Sequence, residues 1–172
     1  SGGGIKSLAD SFLLVVKKEF SDIDSKFFSS YLHFRLAEFE LATRHSRSLV
    51  FDKYFKDHQP AFELLSFANA FKMFYAGYMS PKSVHPFSDA LETALSNQQF
   101  KPAIDELSTN KYLENPLYRE LVFTSEIYEL GRKKIYPMSV VINLLDSIID
   151  FTKSPEICLQ AKNSQKILLK LA

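Results

Sequence analysis

The spacing of apolar residues is the feature that most constrains how this chain can fold. Apolar side chains recur every three to four residues, and almost no stretch alternates polar and apolar residues for long enough to predict a strand. That period places apolar side chains on one face of an α-helix. The chain has 172 residues, enough for one sizeable core. We therefore predict a single all-α domain over residues 5–172, an irregular bundle of about eight or nine helices packed as antiparallel αα-hairpins.

Residues that favour helix N-termini divide the pattern into elements. Ser and Asn accept hydrogen bonds from the first free N–H groups of a helix, and Pro fits its first turn. The weakly amphipathic stretch 84–107 is placed least well, with Pro86 and Pro102 acceptable at helix starts. Residues 1–4 are interpreted as an expression scar or linker. The other predicted helices cover roughly 8–20, 25–44, 46–56, 60–79 and 115–132, and two more begin near Pro137 and Ser154.

The aromatic residues are expected to fill the core. The chain holds 16 Phe and 8 Tyr but no Trp, and the predicted helix 60–79 is the richest in rings. We predict that this helix lies at the centre of the core. An alternative is that the segment from Phe71 to Tyr78 lines an apolar ligand groove.

Charge and cysteine content exclude several classes of function. Lys and Arg number 21 against 20 Asp and Glu, so the net charge of +1 creates no field that would attract nucleic acid or an anionic membrane. The single cysteine, Cys158, excludes an internal disulfide, a Cys-x-x-Cys pair and a multi-cysteine zinc site within this sequence. No run approaches the ~20 apolar residues that span a bilayer. We expect no nucleic-acid partner and no membrane insertion by this chain.

Residues that could perform chemistry do not form a recognisable motif. The histidines lack the H-E-x-x-H spacing that places two metal ligands on one helix face. Asp146 with Asp150, and Glu126 with Glu129, could share a cation or a proton, but we interpret both pairs as solvated helix faces. We predict no catalytic residue, no cofactor and no metal site, and hence no enzyme. The histidines concerned are His33, His45, His58 and His85.

Two further features have simple structural interpretations. Cys158 lies on an apolar stripe and is predicted to be a buried small hydrophobe; the alternative is a nucleophile activated by the helix N-terminus. The cluster Arg132-Lys133-Lys134 follows Gly131, which is expected to end a helix. Because cations favour helix C-termini, we interpret the cluster as part of a cap and not as a nucleic-acid patch.

Several passages resemble a known family. Tyr31 to Ala37 is similar to its aromatic helix, and Leu49 to Phe55 to its short second helix. The most recognisable passage is Asn115-Pro116-Leu117-Tyr118-Arg119-Glu120-Leu121-Val122 followed by Tyr128-Glu129, while Ile142 to Ile149 and Ala161 to Leu171 look like its two closing helices. The family is that of the TlpA-like thiol-disulfide oxidoreductases of the Gram-negative envelope, in the helical region that precedes their thioredoxin fold.

The resemblance implies a periplasmic accessory domain without redox chemistry of its own. In that family a thioredoxin-like domain with a Cys-x-x-Cys follows, and Cys158 does not stand in for its cysteines. The implied partners are an adjacent thioredoxin-like domain in the same chain and its protein substrates. The alternatives are a self-contained adaptor that binds a peptide or partner helix, and a helical bundle that binds a small molecule around the aromatic segment.

Overall fold

The structure is a computed structural model that describes residues 10–12, 14–16, 18–20, 23–43, 45–80 and 88–171. Within these ranges the chain is helical and contains no strand, which confirms the all-α fold class. No helix in the described ranges has the length and apolar character needed to cross a membrane. The chain divides into two compact units, Ser1–Ala76 and Gly77–Ala172. The single domain over residues 5–172 stays a prediction, and residues 1–4 lie outside the described part.

The first unit is built on a long helix that packs against two shorter ones. Helix α1 (Lys26–Ala42) contacts α2 (Arg47–Tyr54) and α3 (Leu65–Tyr75), and the described residues between 10 and 19 are also helical. As predicted, Ser25 begins α1: its Oγ accepts the N–H of Phe28 at 3.3 Å.

Aromatic rings fill the interior of the first unit, as the composition predicted. The ring centroids of Phe34 and Phe67 are 5.0 Å apart, and those of Phe55 and Phe74 are also 5.0 Å apart. Tyr75 lies 4.7 Å from Phe74, edge to face. All five rings are buried, and such pairs add about 0.5–1.5 kcal/mol each beyond the area that they bury. Helix α3 therefore contributes to the core of this unit in the manner expected.

The predicted bounds of α3 are wrong. We expected a helix from Pro60 to Met79, but α3 begins at Leu65 and ends at Tyr75. Residues 61–64 form a turn in which the N–H of Leu64 donates to the carbonyl of Ala61 at 2.9 Å. Past Ala76 the chain leaves the helix, and Gly77 adopts a φ of +73°, a conformation that suits glycine.

The second unit surrounds one central helix. Its described residues form a short 3₁₀ helix (Lys111–Leu113) and five α-helices: α4 (Asp89–Ser96), α5 (Phe100–Ser108), α6 (Pro116–Arg132), α7 (Met138–Phe151) and α8 (Pro155–Leu171). Helix α6 contacts α5, α7 and α8. Asn115 caps α6 by accepting the N–H of Leu117 at 2.9 Å, and Pro116 is the first helical residue, as predicted.

Helix α6 ends at Arg132, as predicted, but Gly131 is not the residue that ends it. The helix continues to Arg132, and Lys134 is the residue with a left-handed φ of 56° beyond it. A Cβ built on Gly131 would lie 2.8 Å from Cγ1 of Val141 and 3.2 Å from Cδ1 of Leu168. Glycine is therefore needed here because α7 and α8 approach α6 closely, not because the backbone turns.

The apolar spacing of the last two helices predicts that Phe151 and Leu171 face the core together with the residues one and two turns before them, but both are exposed. Phe151 is 51% exposed and Leu171 is 60% exposed, whereas the other predicted core residues of α7 and α8 are buried. Each is the last residue of its helix, so no following turn encloses it. Phe151 keeps one ring contact, with a centroid distance of 5.1 Å to Phe100.

Candidate functional site

Two histidines of the first unit are stacked on each other. The ring centroids of His33 and His58 are 4.0 Å apart, with the ring planes inclined by 33°. His33 Nε2 lies 3.0 Å from the carbonyl oxygen of Tyr54 and donates to it. Stacked rings direct their nitrogen lone pairs sideways and not towards a shared point. This pair therefore links α1 to the segment after α2 and does not form a metal chelate.

The remaining histidines give no metal cluster either. His45 Nδ1 is hydrogen-bonded to Thr43 Oγ1 at 2.9 Å, and its Nε2 lies 3.3 Å from Asp10 Oδ1. His85 lies outside the described residues. In the described ranges, no three or more His, Cys, Asp and Glu side chains are grouped as a metal site would require. The absence of a metal site from the whole chain stays a prediction.

Glu40 is a buried carboxylate that the sequence analysis did not identify. It lies on α1, 3% exposed, and its Oε1 accepts the hydroxyl of Tyr54 at 2.7 Å and the ammonium of Lys53. Burial, followed by the hydrogen bond and the charge of Glu40, raises the pKa of Tyr54 far above its ordinary value. Tyr54 therefore remains a hydrogen-bond donor and ties α2 to α1.

Glu126 overturns the interpretation of its pair with Glu129 as a solvated face. It is only 5% exposed, and its carboxylate accepts the backbone N–H of Gly77 at 2.9 Å and of Met79 at 3.0 Å. Burial raises the pKa of Glu126, although the two amides and Lys133 act in the opposite direction. A signal was present in the sequence, because helical spacing places Glu126 in register with apolar residues three before and four after it. Glu126 therefore fixes the turn that follows Gly77.

A third buried carboxylate holds the connection between α7 and α8. Glu120 Oε2 accepts the hydroxyl of Thr152 at 2.5 Å, and Thr152 Oγ1 accepts the N–H of Ser154 at 3.1 Å. Ser154 Oγ in turn accepts the N–H of Ile157 at 3.3 Å, so it caps α8 as predicted. These hydrogen bonds hold the connection between α7 and α8 in place.

The other charged candidates are at the surface. Asp146 and Asp150 are both exposed, as predicted, and Asp146 accepts a hydrogen bond from Gln165 at 2.7 Å. Arg132 pairs with Glu129 at 2.7 Å, one turn earlier on α6. These contacts agree with the interpretation of Arg132-Lys133-Lys134 as a helix terminus.

Cys158 is half-buried, not buried as predicted. The core-facing positions of α8 belong instead to Ile157, Ala161, Ser164 and Leu168, which recur at helical spacing. Cys158 follows Ile157 by one residue, a rotation of about 100° around the helix. The thiol therefore lies at the edge of the buried face.

The second unit contains a small half-open cavity between α4 and α5. Its volume is about 180 Å³. Ser88, the N-cap of α4, organises the polar part: its Oγ accepts the N–H of Leu91 at 3.1 Å and donates to Glu106 Oε1 at 2.7 Å. No site was predicted in this weakly amphipathic region, 84–107. The cavity is lined by Tyr78, Ser88, Leu91, Glu106, Leu107, Thr109 and Asn110.

Helix α1 carries two exposed aromatic side chains one turn apart, which we call the aromatic stripe. Phe27 is 64% exposed and Tyr31 is 39% exposed. The next residue at this spacing, Arg35, donates to Glu38 at 2.7 Å. The positive charge beside the stripe is therefore balanced by the carboxylate of Glu38. Since aromatic rings offer roughly 150–250 Å² each, the stripe exposes about 200 Å² of ring surface.

Comparison of the chain with protein-family models, with curated proteins and with solved structures gives no match.

Proposed function

We propose that this chain is a non-catalytic helical module that binds a protein partner through the aromatic stripe of α1. The exposure of Phe27 and Tyr31 carries the proposal. Large exposed aromatic side chains are enriched at protein interfaces, where a few of them supply most of the binding energy. The stripe lies beside the Arg35–Glu38 pair, whose charges cancel. An apolar protein segment matches this surface better than a charged one.

The aromatic segment of the core supports this function over a small-molecule bundle. Phe71 is 8% exposed and Tyr75 is 1% exposed, and their ring centroids are 5.0 Å apart. Both rings are occupied in packing within the first unit, as the core interpretation of this segment predicted. The rings accessible to a partner in this unit include those of α1.

The biological setting that we propose is the periplasm of a Gram-negative bacterium, in a thioredoxin-like thiol-disulfide oxidoreductase. This part rests on the resemblance alone, in which the passage Tyr31 to Ala37 is similar to the family's aromatic helix. The module would hold an apolar segment of a disulfide-containing substrate protein while an adjacent thioredoxin-like domain reduces it. The self-contained adaptor is the alternative, and it uses the same stripe.

Binding to an unfolded protein tests the module itself. The ligand is a reduced and alkylated model protein, which exposes apolar segments permanently. The double variant Phe27→Ser/Tyr31→Ser should weaken binding at least tenfold, because interface aromatics contribute about 2 kcal/mol or more each. The control, Leu159→Ser/Leu169→Ser, removes two leucines of α8 that are 61% and 60% exposed. Equal loss in both variants, or none in the first, would contradict the role of the stripe.

A second experiment tests the oxidoreductase setting. The gene is read beyond the codon for Ala172, and the full product is assayed for dithiol-dependent disulfide reduction. A thioredoxin-like segment with a Cys-x-x-Cys and activity that falls in the double variant would support the setting. A stop codon or an unrelated continuation would remove it and leave the adaptor function.

A further inference from the structure

The cavity between α4 and α5 combines an acidic group with apolar walls. Glu106 lines the cavity together with the apolar residues Leu91 and Leu107 and with Tyr78. In the described part of the chain, no Lys or Arg forms an ion pair with Glu106. Among the described residues, its Oε1 accepts a side-chain hydrogen bond from the neutral hydroxyl of Ser88, at 2.7 Å. The negative charge at this cavity is therefore not compensated by a neighbouring described cation.

The position of Glu106 on its helix adds to the negative potential. Glu106 lies in the last turn of α5, where the free carbonyl groups carry a partial negative charge. Helices α4 and α5 together hold four acidic residues and one lysine. Such a distribution attracts cations to the cavity, although the whole chain has a net charge of only +1.

The hydrogen bonds of Ser88 hold the carboxylate in place. Its hydroxyl accepts the N–H of Leu91 at 3.1 Å and donates to Glu106. A carboxylate fixed in this way loses little side-chain freedom when a ligand binds, which favours affinity. Asn110 also lines the cavity, and its Oδ1 accepts the N–H of Tyr112 at 3.0 Å.

The size of the cavity limits the ligand to a few heavy atoms. A volume of about 180 Å³ is slightly more than the ~150 Å³ of an apolar cavity that holds benzene. A chain of four to six carbons with one ammonium group is of this size. The ammonium would meet Glu106, and the hydrocarbon would lie against Leu91, Leu107 and the ring of Tyr78.

We propose that the cavity between α4 and α5 binds a primary alkylammonium group, with Glu106 as its charge partner. The group comes either from a free short amine or from the side chain of a lysine in another protein, since both present the same chemistry. This site is separate from the aromatic stripe on which the proposed function rests, so each can fail without the other.

The experiment follows the backbone amides of Leu91 and Leu107 by NMR while n-pentylammonium is added to the whole chain. We expect saturable shifts with a Kd on the order of 1 mM, the range of six-atom ligands. Glu106→Gln should raise the Kd at least tenfold, and its side-chain oxygen can still accept the hydroxyl of Ser88. Glu63→Gln makes the same charge change at an exposed position outside α4, α5 and the cavity lining, and it should change the Kd less than twofold.

The neutral ligand n-pentanol tests whether binding depends on the charge of the ligand. This comparison uses the unaltered protein, so it does not depend on whether the variants fold. It should bind at least tenfold more weakly than n-pentylammonium. Equal binding of the two ligands, equal effects of the two substitutions, or no shifts at the cavity would each overturn the proposal. Binding of Nα-acetyl-lysine amide as tightly as n-pentylammonium would support a lysine side chain as the source, and binding of the free amine alone would support a small molecule.

Discussion

Gly131→Ala is the substitution for which the sequence and the structure predict opposite signs. Alanine is favoured over glycine by up to about 1 kcal/mol within a helix, so for Gly131, the second-last residue of α6, helix propensity alone predicts stabilisation. The added Cβ would however lie 2.8 Å from Cγ1 and 3.3 Å from Cγ2 of Val141, and 3.2 Å from Cδ1 of Leu168. Val141 is only 1% exposed, and its branched side chain is stiff at χ1, so it cannot easily move aside. Overpacking of this kind costs about 1–3 kcal/mol. We expect a net destabilisation of about 1–2 kcal/mol.

Urea denaturation followed by circular dichroism measures this change in the free energy of unfolding. Val141→Ala alone should cost about 1–3 kcal/mol, because it removes two buried methyl groups. In that background the clash with Val141 is gone, so Gly131→Ala should become neutral or stabilising, with a coupling energy of about 1–2 kcal/mol. The control for helix propensity is Asn163→Ala, at an exposed position of α8, which should stabilise by a few tenths of a kcal/mol. If Gly131→Ala stabilises the unaltered protein by about 1 kcal/mol, or if Val141→Ala does not change its effect, the reasoning from close packing is wrong.

Three further predictions concern the buried groups. Because burial raises the pKa of Glu126, its contribution to stability is fully present below the unfolded-state pKa and is lost as pH rises through the folded-state pKa. The difference in unfolding free energy between the unaltered protein and Glu126→Gln should therefore shift against the unaltered protein as pH rises above the ordinary pKa of a glutamate, and a constant difference would contradict the sign. Phe74→Ala should cost about 3–5 kcal/mol in urea denaturation, whereas Phe151→Ala, at a residue that is 51% exposed, should cost clearly less; equal costs would refute the assignment of the core. Tyr54→Phe should lower the free energy of unfolding by about 1–2 kcal/mol because buried Glu40 loses a hydrogen-bond donor, while Tyr31→Phe on the exposed stripe should change it by less than about 0.5 kcal/mol. Equal effects of the two substitutions would exclude a stabilising role for the hydrogen bond.

Three helix N-termini were details of the fold that could be predicted well. Asn115 and Ser154 cap helices as expected, and Ser25, near which a helix was predicted to begin, caps α1, because each side chain accepts an N–H group only two or three residues away. The predicted start of α3 was five residues too early. Proline is acceptable in a first helical turn, but Pro60 lies in the segment before the helix, which begins at Leu65.

The sequence by itself determined the helical class, the aromatic core and these local caps, since all three follow from residue type and spacing within one or two turns. Only the tertiary structure decided that Glu126 is buried, because the amides that it binds belong to Gly77 and Met79, which are 49 and 47 residues away. The same holds for Gly131, whose role depends on side chains of two other helices. The cavity beside Glu106 likewise forms only when α4 and α5 pack together, so its residues carry no common pattern along the chain.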